Sequence, residues 1–292
     1  MRKLTICFSV VIILFLFIIH SPLATAQNDS TVTVFIVDTQ VDFSFVENLT
    51  MAGEIGHGSV VGRIIYQEVP EVNLLSYGVQ EEGEISKDLY YDALRKIAVY
   101  QQQHPQEKVI INISLGFSKP TDEHKSLINE LVERGVVIIA AAGNDSSQQA
   151  IYPAGFAGTV AVGNATKEGK APSSNYGEFI DLCAPGDVEY ISRLYLPQGA
   201  TVKSFKAVGT SFSAPRVAPL LAELLILQPN FSVPSALDLI SNNADKIADA
   251  KYEQGLLGTG VINVDRTLAQ VDSYYYVKTY GASFLWGLLI LG

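Results

Sequence analysis

What most constrains this chain is the alternation of its segments. The runs TVTVFIV at 31–37, VNLLSYGV at 72–79, KVIINIS at 108–114 and VVIIAAA at 136–142 are rich in β-branched and apolar residues and read as strands. Shorter strands are expected near 158–163 and 178–183. The stretches between them have helical periodicity. Residues 57–66 carry Val60, Val61, Ile64 and Ile65 on one side. Residues 86–103 follow Ser86, a capping residue, and line one face with Leu89, Tyr90, Ala93, Leu94, Ile97 and Ala98. Thr121 opens a helix with Asp122 and Glu123 in its first turn, where carboxylates favour the dipole, and Gly135 stands just past its end. Two more helices are expected at about 211–227 and 234–245. Strands that are apolar almost throughout cannot leave a face in water. They predict an α/β fold of three layers, a doubly wound, mostly parallel sheet with helices on both faces. In such sheets ligands collect at the carboxyl ends of the strands.

Both ends of the 292-residue chain fall outside this pattern. Met1-Arg2-Lys3, the apolar run from Leu4 to Ile19 and the Ala24-Thr25-Ala26 site give residues 1–26 the form of a signal peptide. A retained signal anchor is the alternative, and either form exports the body of the protein, as a secreted, periplasmic or cell-surface chain. Residues 271–292 form a tail with an apolar end from Gly281 to Gly292, too short to cross a bilayer, which takes about 20 residues. It is either the beginning of an anchoring tail, and then a point of membrane contact, or an apolar end packed on the domain. About 240 residues remain between, enough for one domain. The net charge of −10 and the lack of a basic stripe exclude nucleic acid as a partner. Oligomeric state is not written in the sequence. Cys7 lies in the leader, so Cys183 has no partner for an internal disulfide.

The strand ends carry the residues of interest. The first apolar strand ends in Asp38, a turn former or a site residue. The fourth runs out through Ala140-Ala141-Ala142-Gly143 to Asn144, and its small residues let backbone approach closely. Histidine is scarce. His104, in QQQHPQEK, and His124, in TDEHK, read as surface residues. His57 stands between Gly56 and Gly58 at the start of an apolar helix. In GTSFSAP at 209–215, Ser211 opens another apolar helix, as a cap, a nucleophile or both. Asp38, His57, Asn144 and Ser211 together hold the parts of acyl transfer. A serine hydroxyl needs a base to take its proton. The imidazole needs a carboxylate to fix its tautomer. The tetrahedral intermediate needs donors aimed at its oxyanion, which an Asn amide can supply.

The segments VFIVDTQVD at Asp38, GHGSVVG at His57, AAAGND at Asn144 and GTSFSAPRVA at Ser211 occur in the order found in the subtilisin-like serine proteases, and the chain resembles that family over roughly 32–270. NISLG at 112–116, NYGEFIDLCAPG at 175–186 and GTGVINV at 258–264 support the match. The resemblance implies a subtilisin-like fold and a serine endopeptidase acting on protein or peptide substrates. Ser211 would be the nucleophile, His57 the base, Asp38 the orienting carboxylate and Asn144 the oxyanion donor. It implies that Ser114, Leu115 and Gly116 pair with substrate backbone and, with Ala141, Ala142 and Gly143, wall the primary specificity pocket. The small residues there suggest an open pocket for large apolar side chains. The chemistry requires no cofactor and no metal; structural calcium stays open, because the loops that carry it in the family do not match. A catalytically impaired binding or scaffold protein and an esterase with the same triad are the alternatives.

The departures are Gln40 where the family has Gly, Arg63 and Gly62 for the usual Gly and Ala of the histidine helix, Arg216 for His and Pro219 for Gly. Pro219 is expected to kink its helix. His57 also follows Asp38 by only 19 positions, a short interval for the family. The segment after Ala26 leaves no room for the propeptide common in exported members.

Overall fold

The computed structural model describes residues 32–48, 50–51, 55–196 and 199–271. The expected signal peptide and the apolar tail lie outside these residues. In chain order the elements are β1 (Val32–Asp38), α1 (Phe43–Asn48), β2 (Thr50–Met51), α2 (His57–Glu68), β3 (Asn73–Gly78), β4 (Gln80–Glu81) and β5 (Glu84–Ile85). Then come α3 (Lys87–Gln103), β6 (Lys108–Ile113), α4 (Asp122–Glu133), β7 (Val137–Ala141), β8 (Thr159–Thr166), β9 (Gly169–Lys170) and β10 (Leu182–Ala184). The last are β11 (Asp187–Leu196), β12 (Gly199–Val208), α5 (Thr210–Leu227), α6 (Val233–Asn242), α7 (Ala250–Glu253) and α8 (Val264–Leu268).

Six strands run parallel in the order β10–β8–β7–β6–β1–β3, and β9 pairs antiparallel with β8. Successive side chains of a strand point to opposite faces, and here both faces are covered. Val32, Val34 and Ile36 of β1, Ile110 of β6 and Val137 and Ile139 of β7 meet α2 and α5 on one side. Phe35 and Val37, Ile111 and Ile113, and Ile138 meet α3 and α4 on the other. That double burial explains the near-continuous apolar strands. The chain steps from β1 outward to β3, then returns across β1 to β6. The order therefore reverses at β1, and Asp38 and Ser114 end up beside the crevice this creates.

Two expected caps are present: Ser86 accepts from Leu89 N, and Thr121 accepts from His124 N. Gly135 takes the left-handed conformation past α4 (φ +81°). Two expectations fail. First, Ser211 does not cap α5. That helix begins at Thr210, Gly209 holds the cap position, and Ser211 lies inside the first turn. The helix continues through Pro215 and Pro219, and it is apolar on nearly every side, with Ala214, Val217, Ala218 and Leu221 fully buried. Second, β11 and β12 form a long antiparallel ribbon where no element was expected. Its alternation is irregular, with Ile191 and Tyr195 in phase with Glu189 and Arg193, so periodicity gives a weak signal.

His124 is not a surface residue. It is 1% exposed, and Tyr90, Tyr91, Phe117 and Phe156 ring it. Its Nε2 is bonded to the Tyr90 hydroxyl at 2.9 Å. Position in the first turn of α4 does not decide exposure; the face does, and this face lies on α3. Burial, with a smaller effect of Lys87, lowers the imidazole pKa to about 4. The unfolded chain therefore binds a proton at this residue near pH 6.5 and the folded chain does not. Stability is expected to fall as pH drops from about 6.5 to about 4, by roughly 3 kcal/mol from this group. Urea unfolding of wild type and His124→Gln across that range checks it: the variant should show the shallower slope of stability against pH, whatever its absolute stability.

Candidate active site

Asp38 is the last residue of β1 and is 1% exposed. Its Oδ1 lies 2.7 Å from His57 Nδ1 and also accepts from the Thr39 backbone N–H at 2.6 Å. His57 is the first residue of α2, and its side chain keeps 35% exposure. Gly58 makes this approach possible. A Cβ there would stand 2.3 Å from the Thr39 carbonyl oxygen, while its N–H donates to Thr39 Oγ1 at 2.8 Å. Burial by itself lowers the pKa of His57. The hydrogen bond and the charge of Asp38 outweigh it, and the net value is raised above the ordinary histidine range. The bond to Oδ1 leaves Nε2 as the free nitrogen facing the cleft.

Ser211 comes to the same place from the other helix. Phe212 sets its ring against the His57 ring, centroids 5.2 Å apart. The Ser211 hydroxyl is not hydrogen-bonded to His57; such catalytic bonds often tighten only with substrate. Its backbone N–H, in the first turn of α5, has no acceptor among the described residues. Its carbonyl has lost its ordinary helical partner, because Pro215, four residues on, has no N–H. Ser114 Oγ replaces that donor at 2.7 Å, and is itself held by Asn112 Nδ2 at 2.9 Å.

Asn144 follows β7 and is exposed. Its Oδ1 accepts from the Thr210 N–H at 2.9 Å and from Thr210 Oγ1 at 3.1 Å. A backbone N–H only donates, so this bond fixes which end of the amide is oxygen. Nδ2 is left free at the mouth of α5. Two residues that sequence reasoning passed over hold the loop. Thr210 Oγ1 accepts from the Gly143 N–H at 3.1 Å. Asn175, fully buried, donates to the Ala142 carbonyl and accepts from the N–H groups of Asp145 and Ser147. The proline four residues after Ser211 is the sequence signal that its carbonyl needs a donor. Asn175 opens the NYGEFIDLCAPG segment, but nothing local there marks it as the support of a loop near residue 144.

The remaining residues line up around this centre. The N–H and C=O groups of Leu115 and Gly116 carry no hydrogen bond, an open strand edge. Ala141 and Ala142 are 3% and 0% exposed, so they offer almost no surface to a ligand, and Gly143 adopts φ +104°. The departures at 40, 62, 63 and 216 have structural explanations. Arg63 Nη1 donates to the carbonyls of Val46 and Glu47 at the end of α1. A Cβ on Gly62 would lie 2.9 Å from Val46. Arg216 donates to the Asp187 carbonyl at the foot of β11. Gln40 covers Gly78. None of these contacts involves Asp38, His57, Asn144 or Ser211.

The model of the Subtilase family matches residues 49–260, a span that includes His57, Asn144 and Ser211. An extracellular protease of Xanthomonas campestris pv. campestris is 33% identical over 163 residues, covering 53% of this chain and 27% of that protein. Subtilisin BL of Lederbergia lenta is 30% identical over 157 residues, covering 53% of this chain and 55% of that one. The chain thus spans about half the length, or less, of these relatives. Among solved structures, proteases from Pseudoalteromonas arctica match with TM-score 0.66 at 18% identity, over 83% of this chain and 91% of that chain. A cold-adapted subtilisin-like serine proteinase matches with TM-score 0.61 at 22% identity, over 80% and 86%. At such identities the likeness speaks for the fold.

Proposed function

The chain belongs to the subtilase family, and from that premise we propose that it is an exported serine endopeptidase cleaving protein or peptide substrates through an acyl-enzyme. The observation that carries the reading is the bond from Asp38 Oδ1 to His57 Nδ1, which fixes the tautomer that leaves Nε2 as a base. A substrate strand pairs with Leu115 and Gly116. Ser211 Oγ attacks the carbonyl carbon, and its proton passes to His57 Nε2. The oxyanion accepts from Asn144 Nδ2 and the Ser211 N–H at the positive end of α5. When the C–N bond breaks, His57 returns the proton to the leaving amine. Water then attacks the acyl group by the same route and regenerates the hydroxyl. These steps use only groups of this chain. Residues 32–270 would form the catalytic domain, and a relative named as an extracellular protease supports export.

The alternative is a subtilase-shaped protein without turnover, and a fluorophosphonate probe separates the two. Wild type and Ser213→Ala are expected to label and Ser211→Ala is not. Folded wild-type protein that stays unlabelled refutes the peptidase; labelling that survives Ser211→Ala assigns the wrong serine. Esterase action is distinguished by peptide turnover. Replacing Asn144 by alanine is expected to lower kcat by about 10²–10³-fold with little change in KM, the scale of losing one such donor. Steady-state kinetics on a peptide anilide checks this.

A further inference from the structure

The walls of the specificity pocket are lined by glycine, and what stands between them is a side chain of this protein. Ile151 Cδ1 lies 2.5 Å from the position a Cβ on Gly116 would take and 3.1 Å from that of a Cβ on Gly143. One methyl group therefore touches both walls. Carbon atoms in contact need about 3.5–4.0 Å, so no further carbon fits between the walls at that level. The glycines leave room for Ile151, which is the reverse of the open pocket their size suggests.

Ile151 cannot easily step aside. The next residue, Tyr152, exchanges both backbone hydrogen bonds with Phe117, at 2.8 and 2.9 Å, which ties this segment to the one carrying Gly116. The Ile151 carbonyl accepts from the Gly155 N–H at 2.7 Å. β-branching limits χ1, so within the side chain chiefly χ2 can move the terminal methyl. The residue keeps partial exposure, so it forms the floor that an entering side chain meets.

We infer that Ile151 plugs the primary pocket and restricts cleavage to bonds that follow a small residue, glycine, alanine or serine. The inference rests on the peptidase reading. A leucine or phenylalanine at that position would have to displace the methyl group or leave the open edge at Leu115–Gly116.

The test uses succinyl-Ala-Ala-Pro-Xaa p-nitroanilides with Ala, Leu or Phe as Xaa, on protein titrated with the fluorophosphonate probe. For wild type, kcat/KM with Ala is expected to exceed that with Phe at least about 10-fold. Ile151→Gly should reverse the order, raising the Phe value at least about 10-fold and changing the Ala value little. Ile151→Ala should fall between. Wild type that labels fully and cleaves after Phe as well as after Ala overturns the inference. So does an unchanged Ala-to-Phe ratio in a fully labelled Ile151→Gly. If that variant does not fold, the wild-type ratio and Ile151→Ala decide. Wild type that neither labels nor cleaves overturns the peptidase reading first, and the pocket with it.

Discussion

Alanine at Ser211 or at His57 is expected to lower kcat by about a million-fold, and the double variant no further. Each single change removes an attack that needs both partners, since a serine hydroxyl without a base is nearly unreactive and the base without the hydroxyl has nothing to activate. A residual rate above the uncatalysed one should survive all three variants. It comes from the Asn144 amide, the Ser211 N–H and the open edge at Leu115–Gly116, which none of these changes touches. The experiment matters because Phe212, next to Ser211, packs its ring against that of His57, while no hydrogen bond joins the Ser211 hydroxyl to the imidazole. Single-turnover and steady-state rates on one peptide substrate, with circular dichroism to confirm folding, provide the measurement. If the two losses multiplied in the double variant, the residues would act independently and no dyad would exist.

The next largest effect belongs to Asp38→Asn, with an expected loss of about 10⁴-fold in kcat. An asparagine could keep the geometry at Nδ1. It could not stabilise the imidazolium, and its amide could offer Nδ1 a proton and so favour the wrong tautomer. A second readout separates this from simple damage. In the native site burial lowers the pKa of His57, and the bond and charge of Asp38 raise it by more. Wild-type activity should therefore rise with pH on an acid limb above the ordinary histidine value, because the base works only when unprotonated. Removing Asp38 leaves burial unopposed, and the limb of the residual activity should move to lower pH. A limb that stays in place would mean that the carboxylate does not govern this imidazole. Stability depends on pH in the opposite direction. The raised pKa stabilises the folded state below the unfolded value, and that contribution is lost as pH rises through the folded one.

The sequence made the sheet legible because its strands are buried on both faces, so their apolar runs stand out without any knowledge of pairing. It made the four residues at the crevice legible because small neighbours flank them: glycine beside His57, alanine and glycine before Asn144. Surroundings supplied by distant segments were not legible. His124 sits among polar neighbours in TDEHK, and only the packing of α4 on α3 buries it. Asn175 lies 31 positions from Asn144 in the chain yet holds its loop. The pocket shows the same limit most clearly. Glycine in a wall signals close approach, but the sequence does not say whether substrate or Ile151 makes the approach.

The Ser114 hydroxyl, bonded to the Ser211 carbonyl, has a mechanical consequence. Ser114, the residue just after β6, begins the edge proposed to grip the substrate, and it also bears on the residue proposed to attack it. Both are therefore referenced to one point. Thermal motion of that point carries bound peptide and attacking oxygen along together, so their separation fluctuates less than either position does. Proline in the serine helix, often counted as a defect, creates this common datum by freeing the carbonyl that serves as its anchor.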